Sequence, residues 1–444
     1  VASSTGAPTD RLSRRLVAIL AIATGLAVAS NYYAQPLLPE ISSSLHLSAA
    51  VAGLIVTAAQ IGYALGLVFL LPLGDLLERR RLVVTLAVVS SLALVILGSA
   101  PVGAVLLPAA VLVGLFSVLA QILVPFAATL AHDHERGRVV GLVMSGLLLG
   151  ILLARTVAGL LAAAGGWRLV YFVAAGAMAV QAVVLARSLP QWKSPTTIHY
   201  RGLLASVWAL VRDEPVLRLR AVYGLLSFAC FSVLWTSVAF LLARNYHYTV
   251  AVIGLFGLAG AGGAAAATVA GRLSDRGWTR RSTGLTTGIL TVSWLALWLG
   301  TRSIAALVVG VVLLDVGAQG IHITNQGVIY ALAPDARSRI NSAYMTFYFT
   351  GGAAGSALSA AVYSVSGWSG VCVLGACFAG LSFMIWLVLD RSPAGLPDPV
   401  PATPEHGPAP APDPPSVGMT VTDHVDPGTS DDAGRSFDTT LPLC

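Results

Sequence analysis

Two fully charged side chains, Arg155 and Asp315, stand well inside long apolar runs. A charge at the centre of a membrane-crossing helix costs at least roughly 2.5–3.5 kcal/mol on insertion scales, so one that persists needs a partner or a pathway. A carboxylate in a low-dielectric setting holds or releases a proton according to whether a cation lies beside it. An arginine can instead grip an anionic molecule through charge-assisted hydrogen bonds. Arg155 lies nine residues from the end of its run and Asp315 twelve residues from the start of its own. At helical rise those are depths of about 13 and 18 Å, within an arginine's reach if the two segments are lateral neighbours. The plainer alternatives are a static neutralising pair, or an arginine bonded to backbone carbonyls.

Asp315 opens a series. Asp315, Gln319, His322 and Gln326 are spaced four, three and four apart, which puts four polar groups on one stripe of an otherwise apolar helix. A lone membrane histidine is often only an interhelical hydrogen bonder; an aligned stripe points to a cavity lining. Gln121, 201 residues before His322, is its counterpart in the internal repeat described below. Asn31, Tyr33 and Gln35 near the end of the first apolar segment, and Trp235 and Thr236 in the seventh, are further candidates for the same lining.

The elements that must position these residues follow from composition. The 444-residue chain is 56% hydrophobic and 10% charged, against about 25% charged for a soluble domain. Twelve apolar segments are expected, at about 16–36, 49–73, 82–100, 104–130, 139–164, 168–187, 221–243, 249–270, 282–300, 303–330, 340–365 and 369–389. They are continuous rather than alternating, so they read as helices and not as strands of a barrel. With the N-terminus inside, 21 of the 26 Lys and Arg fall on the inner side and only Arg168, Arg244 and Arg302 on the outer. That bias places both termini in the cytoplasm. The expected fold is an all-α membrane protein with twelve transmembrane helices in two pseudo-symmetric six-helix bundles. Residues 1–15 form an N-terminal segment, 16–187 the first bundle, and 188–220 a cytoplasmic connector with an interfacial helix near Leu203–Leu210. Residues 221–390 form the second bundle. The Pro-, Asp-, Ser- and Thr-rich residues 391–444 read as a disordered cytoplasmic tail.

The bundles are pseudo-symmetric because the chain repeats. Asp75 returns as Asp275, Arg138 as Arg339, Met144 as Met345, Gly150 as Gly351 and Gly166-Trp167 as Gly367-Trp368, at offsets of 200 and 201. Two similar membrane bundles joined by short basic connectors are what an alternating-access transporter needs.

Several function classes drop out. The net charge of +6 sits between apolar segments, where membrane orientation rather than nucleic acid explains it. Lys193 is the only lysine and follows Gln191-Trp192, so no Walker A loop is present. Uphill transport would draw on an ion gradient or a separate subunit. Cys230, Cys372, Cys377 and Cys444 lack metal-ligand spacing, and no nucleophile–base constellation appears at one depth. Neither cofactor nor metal is expected, nor an enzyme. The expected partners are a small-molecule substrate, protons and the lipid bilayer, around a monomer.

The stretch Leu71-Pro-Leu-Gly74-Asp75-Leu76-Leu77-Glu78-Arg79-Arg80, and Gly271-Arg-Leu273-Ser-Asp275-Arg276 in the second half, resemble the cytoplasmic signature of the major facilitator superfamily. The first copy keeps the Asp and two arginines but has Leu71, Leu76 and Glu78 where the signature has Gly, Arg and Gly. The start, Asn31-Tyr-Tyr-Ala-Gln35-Pro-Leu-Leu-Pro39, is similar to drug and metabolite efflux members. Gly141, Gly150 and Gly159 resemble the antiporter signature of export members, with Ala154-Arg155 in place of its Gly-Pro and Ala158-Gly159 in place of its Gly-Gly. The resemblance covers roughly 12–390. It implies that the first, fourth, seventh and tenth helices line a central cavity. It also implies that the glycine-rich second, fifth, eighth and eleventh helices form the contact between halves. Asp75, Arg79, Arg80, Asp275 and Arg276 become a cytoplasmic latch, for which setting topology is the plain alternative. The expected function is export of a small organic molecule across a bacterial inner membrane in exchange for protons. Asp315 is the first candidate proton carrier and His322 the second. Proton-coupled uptake and a transporter-like membrane sensor are the alternatives.

Overall fold

The computed structural model describes residues 13–132, 135–193, 199–261, 278–332 and 337–390. Every regular element among them is helical. A chain this apolar has one way to satisfy its backbone in hydrocarbon without a closed barrel, which is to bond each N–H within its own helix. Short polar residues start several helices: the Ser13 and Ser48 hydroxyls accept from Leu16 and Val51 N–H at 3.2 and 3.3 Å.

The elements in chain order are α1 (Arg14–Ala29), α2 (Ala34–Ser44), α3 (Ala49–Phe69), α4 (Leu73–Leu76), α5 (Arg79–Ser99), α6 (Gly103–Ser117), α7 (Leu119–Leu130) and α8 (Arg136–Ser188). They continue as α9 (Tyr200–Asp213), α10 (Pro215–Asn245), α11 (Val250–Phe256) with a 3-10 turn Gly257–Gly260, α12 (Thr279–Leu299), α13 (Ile304–Leu332) and α14 (Arg337–Ile385). Among the described residues nine helical stretches are long and apolar enough to cross a membrane. Two of them, of 53 and 52 residues, each contain a glycine with non-helical backbone. Large apolar side chains point outward along these helices, among them Ile22 at 63%, Val180 at 64% and Leu295 at 70% exposed. In a bilayer those faces meet lipid.

The first segment is longer than its apolar run suggests. It breaks at Ser30–Tyr33 and resumes as α2 to Ser44. Pro36 explains the break, since its ring excludes a helical carbonyl four residues earlier, at Tyr32. Beyond the break Leu37, Leu38 and Ile41 are fully buried, so packing extends the element past its expected end.

The repeat is visible in the backbone. Among the described residues the positive-φ positions are His46 (52°), His247 (53°), Gly166 (78°) and Gly367 (60°). They form two pairs, each 201 residues apart. The glycines break α8 and α14 at equivalent points, with positive φ and ψ near 180° (168° and −155°), a combination open essentially to glycine alone. At the first break the Glu40 carboxylate accepts the Trp167 N–H at 3.0 Å.

The second and eleventh helices, and the fifth and eighth, do meet across the halves, as the bonds Thr57–Ser356 and Thr156–Gly254 show, but the glycines are only partly responsible. Most small-residue contacts lie within a half rather than between halves. A Cβ on Gly150 would collide with Gly25 of α1, and one on Gly351 or Gly355 with the α10 backbone at Leu225 or Ala229. Gly141 meets nothing. Gly159 is the member of its series that crosses, packing on Gly254 of α11. Contacts between halves are also made by side-chain bonds. Thr57 and Ser356 hydroxyls lie 2.8 Å apart, Thr156 donates to Gly254 O at 3.1 Å, and Ser342 donates to Leu67 O at 3.0 Å.

Candidate functional site

Arg155 from α8 and Asp315 from α13 are brought to one cavity of about 40 Å³, walled also by Leu148, Phe231, Gly260 and Gln319. Both charges are buried, at 3% and 4% exposure. The glycine turn after α11 makes the room: a Cβ on Gly260 would collide with the Asp315 carboxylate, and one on Gly257 with Arg155 Cβ. A space of this size holds a water or two, not an organic substrate.

The two charges share the cavity but form no ion pair. Trp235 of α10 serves both: its indole N–H donates to Asp315 Oδ1 at 3.4 Å, and its ring centroid lies 3.9 Å from Arg155 Cζ. Tyr32 and Phe231 complete an aromatic cage around the guanidinium at 5.2 and 5.4 Å. Arg155 Nε donates to Gln35 Oε1 at 2.7 Å. Its Nη2 and the Gln35 Nε2 are buried without partners, as are both amide atoms of Asn31.

The polar stripe divides. Asp315 and Gln319 line the cavity. His322, two turns on, instead puts Nδ1 3.1 Å from the Tyr344 hydroxyl, with its ring 4.6 Å from Tyr348. Gln326 is half-buried. Gln121 donates to the Tyr63 hydroxyl at 3.2 Å. Tyr63 stacks on Phe349 at 4.0 Å, and Phe349 meets Tyr348 edge-on at 5.7 Å. The repeat-related pair Gln121 and His322 are thus the two ends of an aromatic bridge between the halves, rather than lining the Arg155 cavity.

The sequence reading missed Tyr32, Phe231 and the TM-crossing aromatics Phe228 and Tyr348. A signal existed for part of this set: Phe228, Phe231 and Trp235 are spaced three and four apart, one face of α10. Phe228 stacks on Tyr348 at 4.0 Å and continues to Phe231 at 5.4 Å.

At the other end of the first half, Arg79 is buried in a satisfied network. Its Nε donates to Gly74 O at 3.0 Å, Nη1 to the Thr129 hydroxyl at 3.0 Å and Nη2 to Asp75 Oδ1 at 3.3 Å. Its Cζ lies 4.2 Å from the Trp192 ring. Glu78, read as a departure from the signature, caps α5 by accepting from Arg80 and Arg81 N–H at 2.8 and 2.9 Å, and it accepts from Trp192 N–H at 3.2 Å. Burial pushes the Glu78 carboxyl up, but the N–H groups of Arg81, Arg80 and Trp192 and the Arg81 guanidinium outweigh it and hold it below its ordinary value. Arg80 contributes its backbone N–H here. Asp75 faces Arg339 and Ser342 of α14 and Leu203 and Val207 of α9 across a small cleft. Asp275 and Arg276 lie outside the described residues.

The Major Facilitator Superfamily profile matches residues 20–291 and again 221–424. The "Putative uncharacterized transporter YgaY" of Escherichia coli (strain K12) is 54% identical over 380 residues, covering 85% of this chain and 96% of that one. A probable transporter of Streptomyces coelicolor is 35% identical, covering 86% and 87%. Among solved structures, a bacterial homolog of the human lysosomal transporter Spinster, inward-facing and occupied, has a TM-score of 0.68 at 14% identity, covering 84% of this chain and 96% of that one. The human organic anion transporter MFSD10 has a TM-score of 0.65 at 18% identity, covering 84% and 99%. The chain, a multi-pass membrane transporter, belongs to the Major Facilitator Superfamily.

Proposed function

We propose that this transporter is proton-coupled and moves a small organic molecule across a bacterial inner membrane by alternating access. It does so as a monomer of twelve crossings in two six-helix halves, with both termini cytoplasmic. The observation that supports this reading is the shared cavity: Arg155 from one half and Asp315 from the other face it, and Trp235 touches both. When the halves rock, the distance between guanidinium and carboxylate changes, and with it the proton affinity of Asp315. Asp315 carries the proton; His322, tied to Tyr344, is the second candidate. Export is the direction implied by the similarity of Asn31–Pro39 to efflux members. The Asp75–Arg79 region acts as the latch that slows opening of the cytoplasmic face.

One observation favours uptake instead. Arg155, whose Nη2 is buried without a partner, lines the same cavity as Asp315. An anion there is best tolerated when Asp315 is neutral, so anion and proton would bind together, which is the stoichiometry of co-transport.

The test is transport in vesicles of both orientations with and without an imposed proton gradient. Asp315→Asn is expected to insert and fold, to lose gradient-driven accumulation and to keep substrate exchange at equilibrium. Full gradient-driven transport by Asp315→Asn would remove Asp315 from the proton path. The orientation that accumulates substrate decides between export and uptake.

A further inference from the structure

We infer that the cargo is an organic anion, held by its carboxylate on the Arg155 fork; this rests on the transport reading of the same cavity. The argument is a count of donors against acceptors. Arg155 Nε is used by Gln35 Oε1 at 2.7 Å. Nη2 is buried without a partner, and so is Gln35 Nε2. These are N–H donors, and a buried donor left unmade costs free energy that an acceptor recovers. Asp315, on the same cavity, is not in hydrogen-bond contact with Nη2 and accepts instead from the Trp235 indole N–H through Oδ1.

The geometry also sets how an anion would sit. The Trp235 face, 3.9 Å from Cζ, and the Nε bond to Gln35 fix the plane of the guanidinium. The outer edge of a guanidinium so held presents two parallel N–H donors, the match for a carboxylate. A cationic cargo fits worse. The cage of Tyr32, Phe231 and Trp235, which would hold a cation by its ring faces, is already filled by Arg155 itself. The aromatic face of α10, Phe228 through Phe231 to Trp235, offers the remainder of the molecule an apolar wall. The cavity holds about 40 Å³, so the body of such a cargo enters only in a more open arrangement of the halves.

The experiment is equilibrium binding to the full-length protein in lipid nanodiscs, read by thermal shift and calorimetry with no proton gradient. The probes are benzoate, 4-hydroxybenzoate and indole-3-acetate, each against its neutral amide, with benzylammonium as the cation. The carboxylates are expected to bind, and the amides about tenfold or more weakly, the usual loss when a charge-assisted fork is left unmatched. Arg155→Gln should abolish the preference for carboxylate over amide. Arg155→Lys, kept as a second variant that retains the charge, should preserve a reduced preference, and Asp315→Asn should bind carboxylates at least as well as the parent. Equal binding of carboxylate and amide, or a carboxylate preference that survives Arg155→Gln, overturns the assignment. So does tighter binding of benzylammonium that Asp315→Asn removes. No binding by any carboxylate also overturns it, leaving Nη2 to water alone. Because no gradient is applied, a failure of proton coupling leaves this result standing, and a failure here leaves the vesicle result standing.

Discussion

Arg79 and Arg155 are both buried arginines laid on a tryptophan, at 8% and 3% exposure, and they differ in what is left over. Arg79 spends each of its three nitrogens on a named acceptor and stacks on Trp192. Arg155 spends one, on Gln35, and keeps an unpartnered Nη2. A fully matched guanidinium holds structure together, because removing it orphans three acceptors at once. An incompletely matched one costs stability where it sits, which is what makes Arg155 the candidate for a functional role.

Four substitutions press on that difference. The largest effect is expected at Arg155. Arg155→Gln should lower transport by about a hundredfold or more, as when a charged anchor is lost, while the unfolding midpoint in detergent holds or rises. A fall of several degrees with transport retained would make Arg155 structural and erase the contrast. Next, Arg79→Gln should destabilise the protein by about 3 kcal/mol, the scale for breaking a buried charged network. The folded fraction should bind substrate normally. Substrate affinity that drops with stability intact would move Arg79 into the functional class.

Glu78→Ala should cost about 1 kcal/mol through the lost cap of α5, and it carries a pH signature. The folded carboxyl is held below its ordinary value, so its contribution is fully present above the unfolded pKa of about 4.3 and fades as pH falls through the lower folded one. Stability curves of parent and Glu78→Ala should therefore converge in acid. Parallel curves down to pH 3 would show that Glu78 acts without its charge. The smallest effect is the thermodynamic coupling of Arg155→Gln with Asp315→Asn. With Trp235 touching both groups and no ion pair, the cycle should yield about 1 kcal/mol, below a direct buried pair. A coupling of 3 kcal/mol would mean that they meet directly in solution.

The charges were legible because an ionised group in an apolar run is costly, and their depths, about 13 and 18 Å, put them within an arginine's reach of each other. The cage was not. Tyr32 and Phe231 are common residues for a membrane helix, and nothing in composition marks one that faces an arginine. The stripe from Asp315 to Gln326 was read as one lining, yet eleven residues of helix rise about 16 Å, longer than the cavity. That is why His322 joins Tyr344 and Tyr348 instead. The repeat was read from identities and is borne out in backbone angles at His46, His247, Gly166 and Gly367. Glu78 shows the limit of signature matching: it stands in a position where the pattern has glycine, and its carboxylate does the capping.

The connector has a mechanical consequence. Its start is fastened to the first half, where the Trp192 N–H donates to the Glu78 carboxylate and the Trp192 carbonyl accepts from Arg79 N–H. Tyr200, the first residue of α9, fastens it again by donating to Phe69 O at 2.9 Å. Glu214 is the single residue between α9 and α10. Both anchors lie on the first half, and α9 leads from the second of them to α10. The rotation of one half against the other proposed above would then be carried by α9 and taken up at the Asp213–Pro215 joint.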